Sequence, residues 1–178
     1  IENKKIDVII FEDYDKGVIG KFLIQEVVSL AGNKKIPVAV DPKKKNLNHY
    51  RNVALFKPNL KEFREGMKLD IDKGNINEIS HAIKKLAEEN EIETVLVTLS
   101  EKGAYIYNKK DSKYLPAHVR NIADVSGAGD TVISVAALCI ANGESPVTAA
   151  ILSNFAGGIV CEKVGVIPIE KAQLLTEL

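Results

Sequence analysis

The chain of 178 residues is long enough for one domain with a hydrophobic core, and it is 46% hydrophobic and 27% charged, as in an ordinary globular protein. Its 24 basic residues balance its 24 acidic ones, so no net charge draws the molecule to nucleic acid or to an anionic membrane. No apolar run reaches membrane-spanning length and no signal peptide is visible, so we expect a cytoplasmic protein without nucleic-acid or membrane partners.

Short apolar runs alternate with longer helical stretches along the chain. The short runs predict strands, at 6–11, 37–40, 53–56, 94–99, 104–107 and 113–116, the last two as an antiparallel pair. The longer stretches predict helices, at 18–30, 76–90, 129–142 and 145–162, with a short one that carries Glu62 and a last one after Pro168. This alternation predicts an α/β fold, doubly wound, with a mainly parallel sheet and helices on both faces, in a single domain over 1–178.

Polar loops follow four of the predicted strands at their carboxyl ends, at 12–17, 41–45, 57–62 and 98–103. Ligands of open α/β sheets bind beyond that edge. The coincidence predicts a binding site there.

A glycine-rich tract, Gly127-Ala128-Gly129-Asp130, stands at the start of the predicted helix 129–142. Small residues leave backbone N–H groups at a helix start open to anions. An acid among them fits a general base that deprotonates a hydroxyl beside a transferred phosphate. The alternative is a glycine-rich turn, with Asp130 favoured in the first helical turn by the helix dipole.

Asn59 and Glu62 stand three residues apart, which places an amide and a carboxylate on one helical face. These hard oxygen groups suit hydrated Mg²⁺. The same spacing also predicts a capping box, in which Asn59 caps the helix and Glu62 reaches back. The spacing leaves the two interpretations open.

Two further segments allow a nucleotide contact or a structural role. The hydroxyls of Thr98 and Ser100, followed by Gly103, can meet phosphates or form an ordinary turn. The small residues from Gly157 to Val160 can form one wall of a flat purine slot or allow close helix packing.

Three charged residues are candidates for substrate binding. Lys43 opens a run of three lysines that can meet a phosphorylated substrate, although such runs are usually solvated loops. Asp13 and Lys16 flank a strand end, and the alternative for them is a surface ion pair.

A metal site built on cysteine is not expected. Cys139 and Cys161 lie in apolar or small-residue helical stretches, which predicts two buried free thiols. His49, His81 and His118 are scattered and share no ligand spacing with them, which argues against zinc.

Together these motifs resemble the ribokinase-like (PfkB-type) carbohydrate kinases. The tract 124–134 is similar to that family's C-terminal signature, with Val135 where a smaller residue is usual. Asn59-Leu60-Lys61-Glu62 matches its Asn-x-x-Glu motif, and 98–103 resembles its Thr-x-Gly-x-x-Gly loop with Ser100 in place of the first glycine. A finer resemblance, to the heptose-7-phosphate kinase branch of ADP-heptose synthesis, is carried by 13–17, 41–43, 50–52, 57–59 and 124–133. Lys44 stands where that branch often has glycine.

The resemblance implies ATP, Mg²⁺ and a set of roles. Asp130 would be the catalytic base, and Gly127, Ala128 and Gly129 would form the anion hole. Asn59 and Glu62 would organise Mg²⁺. The nucleotide contacts would come from Thr98, Ser100, Gly103, Asn154, Gly157 and Val160. Asp124 and Ser126 match positions that hold a monovalent cation such as K⁺ in many relatives, and the sugar side would include Asp13, Lys16 and Lys43.

The resemblance implies ATP-dependent phosphoryl transfer to a hydroxyl of a sugar or sugar phosphate. The acceptor that it favours is a heptose 7-phosphate. The alternatives are a kinase for ribose or fructose 6-phosphate, and a non-catalytic nucleotide-binding module that keeps the glycines without needing Asp130. The chain starts at Ile1 and its only methionine is Met67. We therefore expect that residues are missing from the front, and the resemblance implies that they include the family's N-terminal sugar-binding part and lid. Such a fragment is expected to be weak or inactive alone and able to form a homo-oligomer through exposed sheet edges.

Overall fold

A six-stranded sheet forms the centre of the computed structural model, which describes residues 1, 4–71, 75–109, 111–118 and 120–177. The strands are β1 (Ile9–Glu12), β2 (Val38–Asp41), β3 (Leu55–Phe56), β4 (Thr94–Thr98), β5 (Ala104–Asn108) and β6 (Ser112–Leu115). They lie in chain order; β1 to β4 are parallel, while β5 and β6 are antiparallel to their neighbours. The predicted parallel sheet with an antiparallel pair is confirmed.

The helices of the described residues are α1 (Lys21–Asn33), α2 (Leu60–Met67), α3 (Ile76–Glu89), α4 (Ala128–Ala141), α5 (Pro146–Val160) and α6 (Lys171–Thr176). Short 3₁₀ helices lie at Leu47–His49 and Ser100–Lys102. Within the described ranges, no helix combines the length and the apolar character that crossing a membrane requires. Cys139 and Cys161 are buried free thiols, as predicted.

Side chains of the buried strands alternate between two hydrophobic clusters, one on each face of the sheet. Val38 and Val40 pack into a cluster that includes Ile24 of α1 and Ile83 of α3. Ala39, between them, packs on the other face. That second face is covered by small residues of α4 and α5, namely Ala136, Ala137 and Ala150. Helices therefore cover both faces, which confirms the predicted fold class.

The largest differences from the predicted boundaries lie in β1 and α1, and each has a local reason. The strand predicted at 6–11 begins at Ile9, because Ile9 pairs with Val38, where the partner strand itself begins. The helix predicted at 18–30 begins at Lys21, after an extended Gly20, and runs on to Asn33. Its last turn closes when the Lys34 N–H donates to the Ala31 carbonyl at 3.0 Å.

Candidate active site

A cleft of about 760 Å³ opens at the carboxyl ends of the parallel strands. Its walls come from the segments that follow β2, β3 and β4, from the first turn of α4 and from α5. The predicted site residues that line it are Lys43, Asn59, Glu62, Thr98, Ser100, Gly103, Ala128, Gly129, Asp130, Asn154 and Gly157. The fold thus brings together groups as distant in the chain as Lys43 and Gly157, as the strand-end argument expects.

The other predicted site residues are absent from the lining of this cleft within the described ranges. Gly127 directly precedes the lining residue Ala128, as the N-cap of α4. Val160 is only 3% exposed and packs in the interior. Asp13 is buried as well, whereas Lys16 is exposed on the loop after β1. Ligand contacts for these residues stay predictions.

The start of α4 combines a bare helix N-terminus with a nearby ammonium group. Gly127 has φ 77°, and a Cβ there would lie 2.9 Å from Val166 Cγ1, so this position requires glycine. A glycine N-cap offers no side-chain oxygen to the first-turn N–H groups, which favours anion binding by those groups. A Cβ on Gly129 would lie 3.3 Å from Lys57 Nζ. The lysine therefore faces the same first turn.

Lys57 and Asp41 form a buried ion pair beneath this turn. Lys57 Nζ lies 2.8 Å from Asp41 Oδ2, and the two side chains are 3% and 6% exposed. Among the described residues, Asp41 Oδ1 is buried without a hydrogen-bond partner. Burial raises the pKa of Asp41, and Lys57 counters that effect. The sequence analysis assigned no role to Lys57. Its position directly after a predicted strand, before Pro58 and Asn59, was the only indication that it lies at the site.

Asp130 lies in the first turn of α4 among other carboxylates. Oxygens of Glu12, Asp41 and Asp130 lie within 4.8 Å of one another. The register of the sheet causes part of this crowding, because Glu12 and Asp41 are paired at the ends of β1 and β2. Tyr14 Oη donates to Asp130 Oδ2 at 3.1 Å.

The crowding changes the acidity of Glu12. Burial, followed by the charges of Asp41 and Asp130, raises the pKa of Glu12 from 4.5 to about 7, although Lys57 and Lys43 act in the opposite direction. A carboxyl whose pKa is raised by folding loses its proton more readily in the unfolded chain. Deprotonation therefore costs stability as the pH rises from about 4.5 to about 7.

Replacing Glu12 by Gln should stabilise the protein at pH 8 and have little effect at pH 4. We expect a gain of about 1 kcal/mol above pH 7, a value reduced for the solvent exposure of a half-buried side chain, or a rise in melting temperature of about 2–4 °C. Thermal unfolding of both proteins between pH 4 and pH 8 measures it. A gain that is independent of pH would contradict the assignment of the repulsion to Glu12.

Asn59 and Glu62 form the capping box that their spacing allowed. Asn59 Oδ1 accepts the Glu62 N–H at 2.8 Å, and Glu62 Oε2 accepts the Asn59 N–H at 2.9 Å. Glu62 Oε1 also forms an ion pair with Lys43 Nζ. Both residues also line the cleft. The capping hydrogen bonds therefore hold the oxygen atoms that are predicted to bind Mg²⁺ at the surface of the cleft. The donor set of hard oxygens fits that ion.

The loop after β4 carries two residues with left-handed backbone. Ser100 has φ 54°, a backbone conformation that favours glycine. This explains why the Thr-x-Gly-x-x-Gly motif has glycine at that position. Gly103 has φ 98°, and a Cβ there would lie 2.1 Å from the Leu115 carbonyl oxygen. A single β-bridge joins Thr98 to Asn59, so the loop is tied to the predicted metal-binding segment.

The far end of the cleft is lined by small residues and one aromatic stack. Asn154, Gly157 and Gly158 of α5 face it, and His118 stacks on Phe155 with ring centroids 4.2 Å apart. A Cβ on Gly157 would lie 2.6 Å from Val132 Cγ2. Gly157 thus allows close packing of α5 on α4 and also leaves the wall flat.

Arg120, which sequence reasoning missed, closes this end of the cleft. Its side chain is 7% exposed and pairs with Glu177 at 2.7 Å and with Glu162 at 3.2 Å. A Cβ on Gly158 would lie 2.8 Å from Arg120 Nε. The guanidinium therefore packs against α5 and fastens the C-terminal segment to it.

Asp124 fixes the turn that precedes α4. Its Oδ1 accepts the N–H of Ser126 at 3.0 Å and the Ser126 hydroxyl at 2.8 Å, and its Oδ2 accepts the N–H of Gly165 at 2.9 Å. The Ser126 and Gly165 N–H groups, with the Ser126 hydroxyl, lower the pKa of Asp124. A monovalent cation beside Asp124 and Ser126 stays a prediction.

Comparison with known sequences supports the family suggested by these motifs. The pattern of the pfkB family carbohydrate kinases matches residues 3–172. Bifunctional protein HldE of Koribacter versatilis is 36% identical over 172 residues, which are 97% of this chain and 35% of that protein. Bifunctional protein HldE of Sulfurimonas denitrificans is 38% identical over 162 residues, 90% of this chain and 33% of that protein. The chain thus spans about a third of the length of these curated relatives.

Solved structures share the fold at low sequence identity. Phosphofructokinase-2 from Escherichia coli in complex with potassium has a TM-score of 0.80 and 18% identity, over 89% of this chain and 52% of that one. Ribokinase of Arabidopsis thaliana complexed with ribose and ATP has a TM-score of 0.74 and 19% identity, over 89% of this chain and 52% of that one. With the family pattern covering nearly the whole sequence, the chain belongs to the pfkB family of carbohydrate kinases.

Proposed function

We propose that this chain carries the nucleotide-binding and base-bearing part of an ATP-dependent sugar kinase, whose acceptor is a hydroxyl of a heptose 7-phosphate. The observation that carries the proposal is the position of Asp130. It lies in the first turn of α4, in a cleft lined by Gly129 and by the Lys57 ammonium. A base, bare N–H groups and a fixed cation at one place are what transfer of a phosphoryl group to a hydroxyl requires.

Two parts of the chain would stabilise the transferred phosphoryl group. The N–H groups of the first turn of α4 and the ammonium of Lys57 would face its equatorial oxygens from two sides. Because Lys57 is held by Asp41, this charge is already in position and needs no reorganisation during the reaction. Asp130 would take the proton of the acceptor hydroxyl as the new bond from oxygen to phosphorus forms.

The loop after β3 supplies the groups that suit a nucleotide-bound metal ion. Asn59 and Glu62 are fixed by their mutual hydrogen bonds, and Lys43 balances the charge of Glu62. Mg²⁺ bound with the nucleotide would neutralise the negative charge of its phosphates. Thr98 and Ser100 lie on the adjoining wall of the cleft and would contact the phosphates.

The flat end of the cleft would receive the adenine ring. Gly157 and Gly158 present no bulky side chain there, and Asn154 brings an amide to the same wall. The stack of His118 on Phe155 lies beside them. A slot of this kind suits a planar ring held between backbone and side-chain surfaces.

The choice of a heptose 7-phosphate rests on the resemblance to the heptose-7-phosphate kinase branch and on the HldE relatives at 36–38% identity. Ribose and fructose 6-phosphate are the competing acceptors, because the solved structures with this fold include a ribokinase and a phosphofructokinase. The acceptor must therefore be tested as a panel.

The test measures ATP binding by calorimetry and then phosphoryl transfer with each of the three acceptors. We expect the chain to bind ATP and to form a heptose bisphosphate slowly, detected by mass spectrometry, with less product from the other two acceptors. Failure to bind ATP would overturn the proposal. Binding followed by no transfer to any acceptor would show that the chain as given binds the nucleotide without acting as a kinase by itself.

A further inference from the structure

Tyr14 is an exposed residue that touches the proposed base. It lies in the loop after β1, its side chain is 56% exposed, and its hydroxyl donates to Asp130 Oδ2 at 3.1 Å. The two residues are 116 positions apart in the chain. An exposed tyrosine has many orientations available, so its contact with Asp130 requires that the loop itself be held in place.

The loop is held by Asp13, whose residue is only 2% exposed. Its Oδ1 accepts the Asp15 N–H at 2.8 Å, and its Oδ2 accepts Asn46 Nδ2 at 2.9 Å and the Tyr50 hydroxyl at 3.1 Å. The Asp13 N–H donates to the Asp41 carbonyl oxygen at 3.1 Å. These bonds fix the backbone on both sides of Tyr14, so the side chain leaves the loop from a defined point.

This arrangement gives Asp13 a role different from the predicted substrate contact. Its carboxylate accepts bonds from three groups of the chain itself and lies in the interior. It is therefore suited to anchoring the loop, while the neighbouring Tyr14 reaches the cleft in its place.

We infer that Tyr14 is a positioning residue for the base: its hydroxyl holds Oδ2 of Asp130, so that Oδ1 is presented to the acceptor hydroxyl. In the transfer step the acceptor oxygen bonds to phosphorus, the bond from phosphorus to the leaving ADP oxygen breaks, and the acceptor proton passes to Asp130 Oδ1. Tyr14 keeps its own proton throughout.

The bond to Asp130 raises the pKa of Tyr14, with smaller contributions from burial and from the charges of Asp130, Glu12 and Asp41.

The inference rests on the proposed function, so its test has one part that needs no activity. The ionisation of Tyr14 is followed by the near-ultraviolet absorbance of phenolate. In each background, wild type or Asp130→Asn, the titration of the same protein with Tyr14→Phe is subtracted, which isolates one of the five tyrosines. We expect Tyr14 to ionise above the ordinary range of tyrosine, and at lower pH in Asp130→Asn, where the negative charge is absent. Glu12 on β1 and Asp41 on β2 remain in both proteins and do not cause the difference. An identical titration in the two proteins would overturn the inference.

The second part separates positioning from a merely structural role. Tyr14→Phe should lower kcat roughly tenfold, the value of about one charge-assisted hydrogen bond, and leave the KM for ATP within about twofold. Tyr107→Phe, which removes a phenol hydroxyl outside the cleft lining, is the matched control and should change neither. An unchanged kcat in Tyr14→Phe would also overturn the inference. Absence of transfer by the wild-type chain, with ATP still bound, would instead contradict kinase activity of this chain by itself, and the tyrosine titration would still show whether the bond to Asp130 exists.

Discussion

Replacing Asp130 by Asn should lower kcat for sugar phosphorylation by about a hundred- to ten-thousandfold, the usual contribution of a positioned general base. The amide keeps the size of the side chain and its place in the first turn of α4, but it cannot accept the proton of the acceptor hydroxyl. ATP binding should stay within about threefold, because the first-turn N–H groups, Lys57 and the loop after β3 are untouched. Calorimetry with ATP and a steady-state assay of phosphoryl transfer measure the two quantities.

Asp70→Asn is the matched control for this change. Asp70 is fully exposed, and its carboxylate lies 3.9 Å from Arg64 at the surface, so its loss should leave kcat, KM and ATP binding unchanged. Equal activity of Asp130→Asn and the wild-type chain would refute the role of the base. A parallel loss of ATP binding and kcat in Asp130→Asn would show that this residue organises the nucleotide site rather than the chemistry.

The place of the site followed from local sequence patterns. The parallel arrangement of β1 to β4 puts all their carboxyl ends at one edge of the sheet, so the polar residues after each strand had to meet there. The glycines at 127 and 129 likewise predicted the bare start of α4. The capping box of Asn59 and Glu62 is also a purely local feature. The structure contains this box, which is one of the two interpretations that the spacing left open, and metal binding by the same residues stays a prediction.

Several contacts around the candidate site join distant parts of the chain, which no local pattern reveals. Tyr14 donates to Asp130 from the loop after β1, and Asp13 is hydrogen-bonded within that loop and to Asn46. The pairing of Glu12 with Asp41 depends on the strand register, and a shift of one residue would place the Glu12 side chain on the opposite face of the sheet. Arg120 meets Glu177 across 57 positions. These pairings result from the completed fold.

Replacing Lys57 by Met should destabilise the protein by about 3–5 kcal/mol, the usual cost of leaving one partner of a buried ion pair without the other. The Asp41 carboxylate would then be buried with neither oxygen paired, since its Oδ1 has no hydrogen-bond partner in the part of the chain that the structure describes. Burial already raises the pKa of Asp41, and loss of Lys57 raises it further. The loss of stability should therefore be larger at alkaline pH, where the carboxyl is ionised, than at acidic pH, where it is protonated. Urea denaturation under acidic and alkaline conditions measures it.

The double variant Asp41→Asn with Lys57→Met distinguishes the charge from the packing of these side chains. Removing both charges should restore most of the stability. Phosphoryl transfer should be lower than in the wild-type chain, as in Lys57→Met, because no ammonium faces the first turn of α4. Lys84→Met is the matched control, since Lys84 lies in a surface pair 3.9 Å from Glu88 and should contribute less than about 0.5 kcal/mol. A double variant as unstable as Lys57→Met would contradict the assignment of the lost stability to the unpaired charge of Asp41. Full activity in the stable double variant would remove Lys57 from the proposed phosphoryl site and leave the N–H groups of α4 to act there alone.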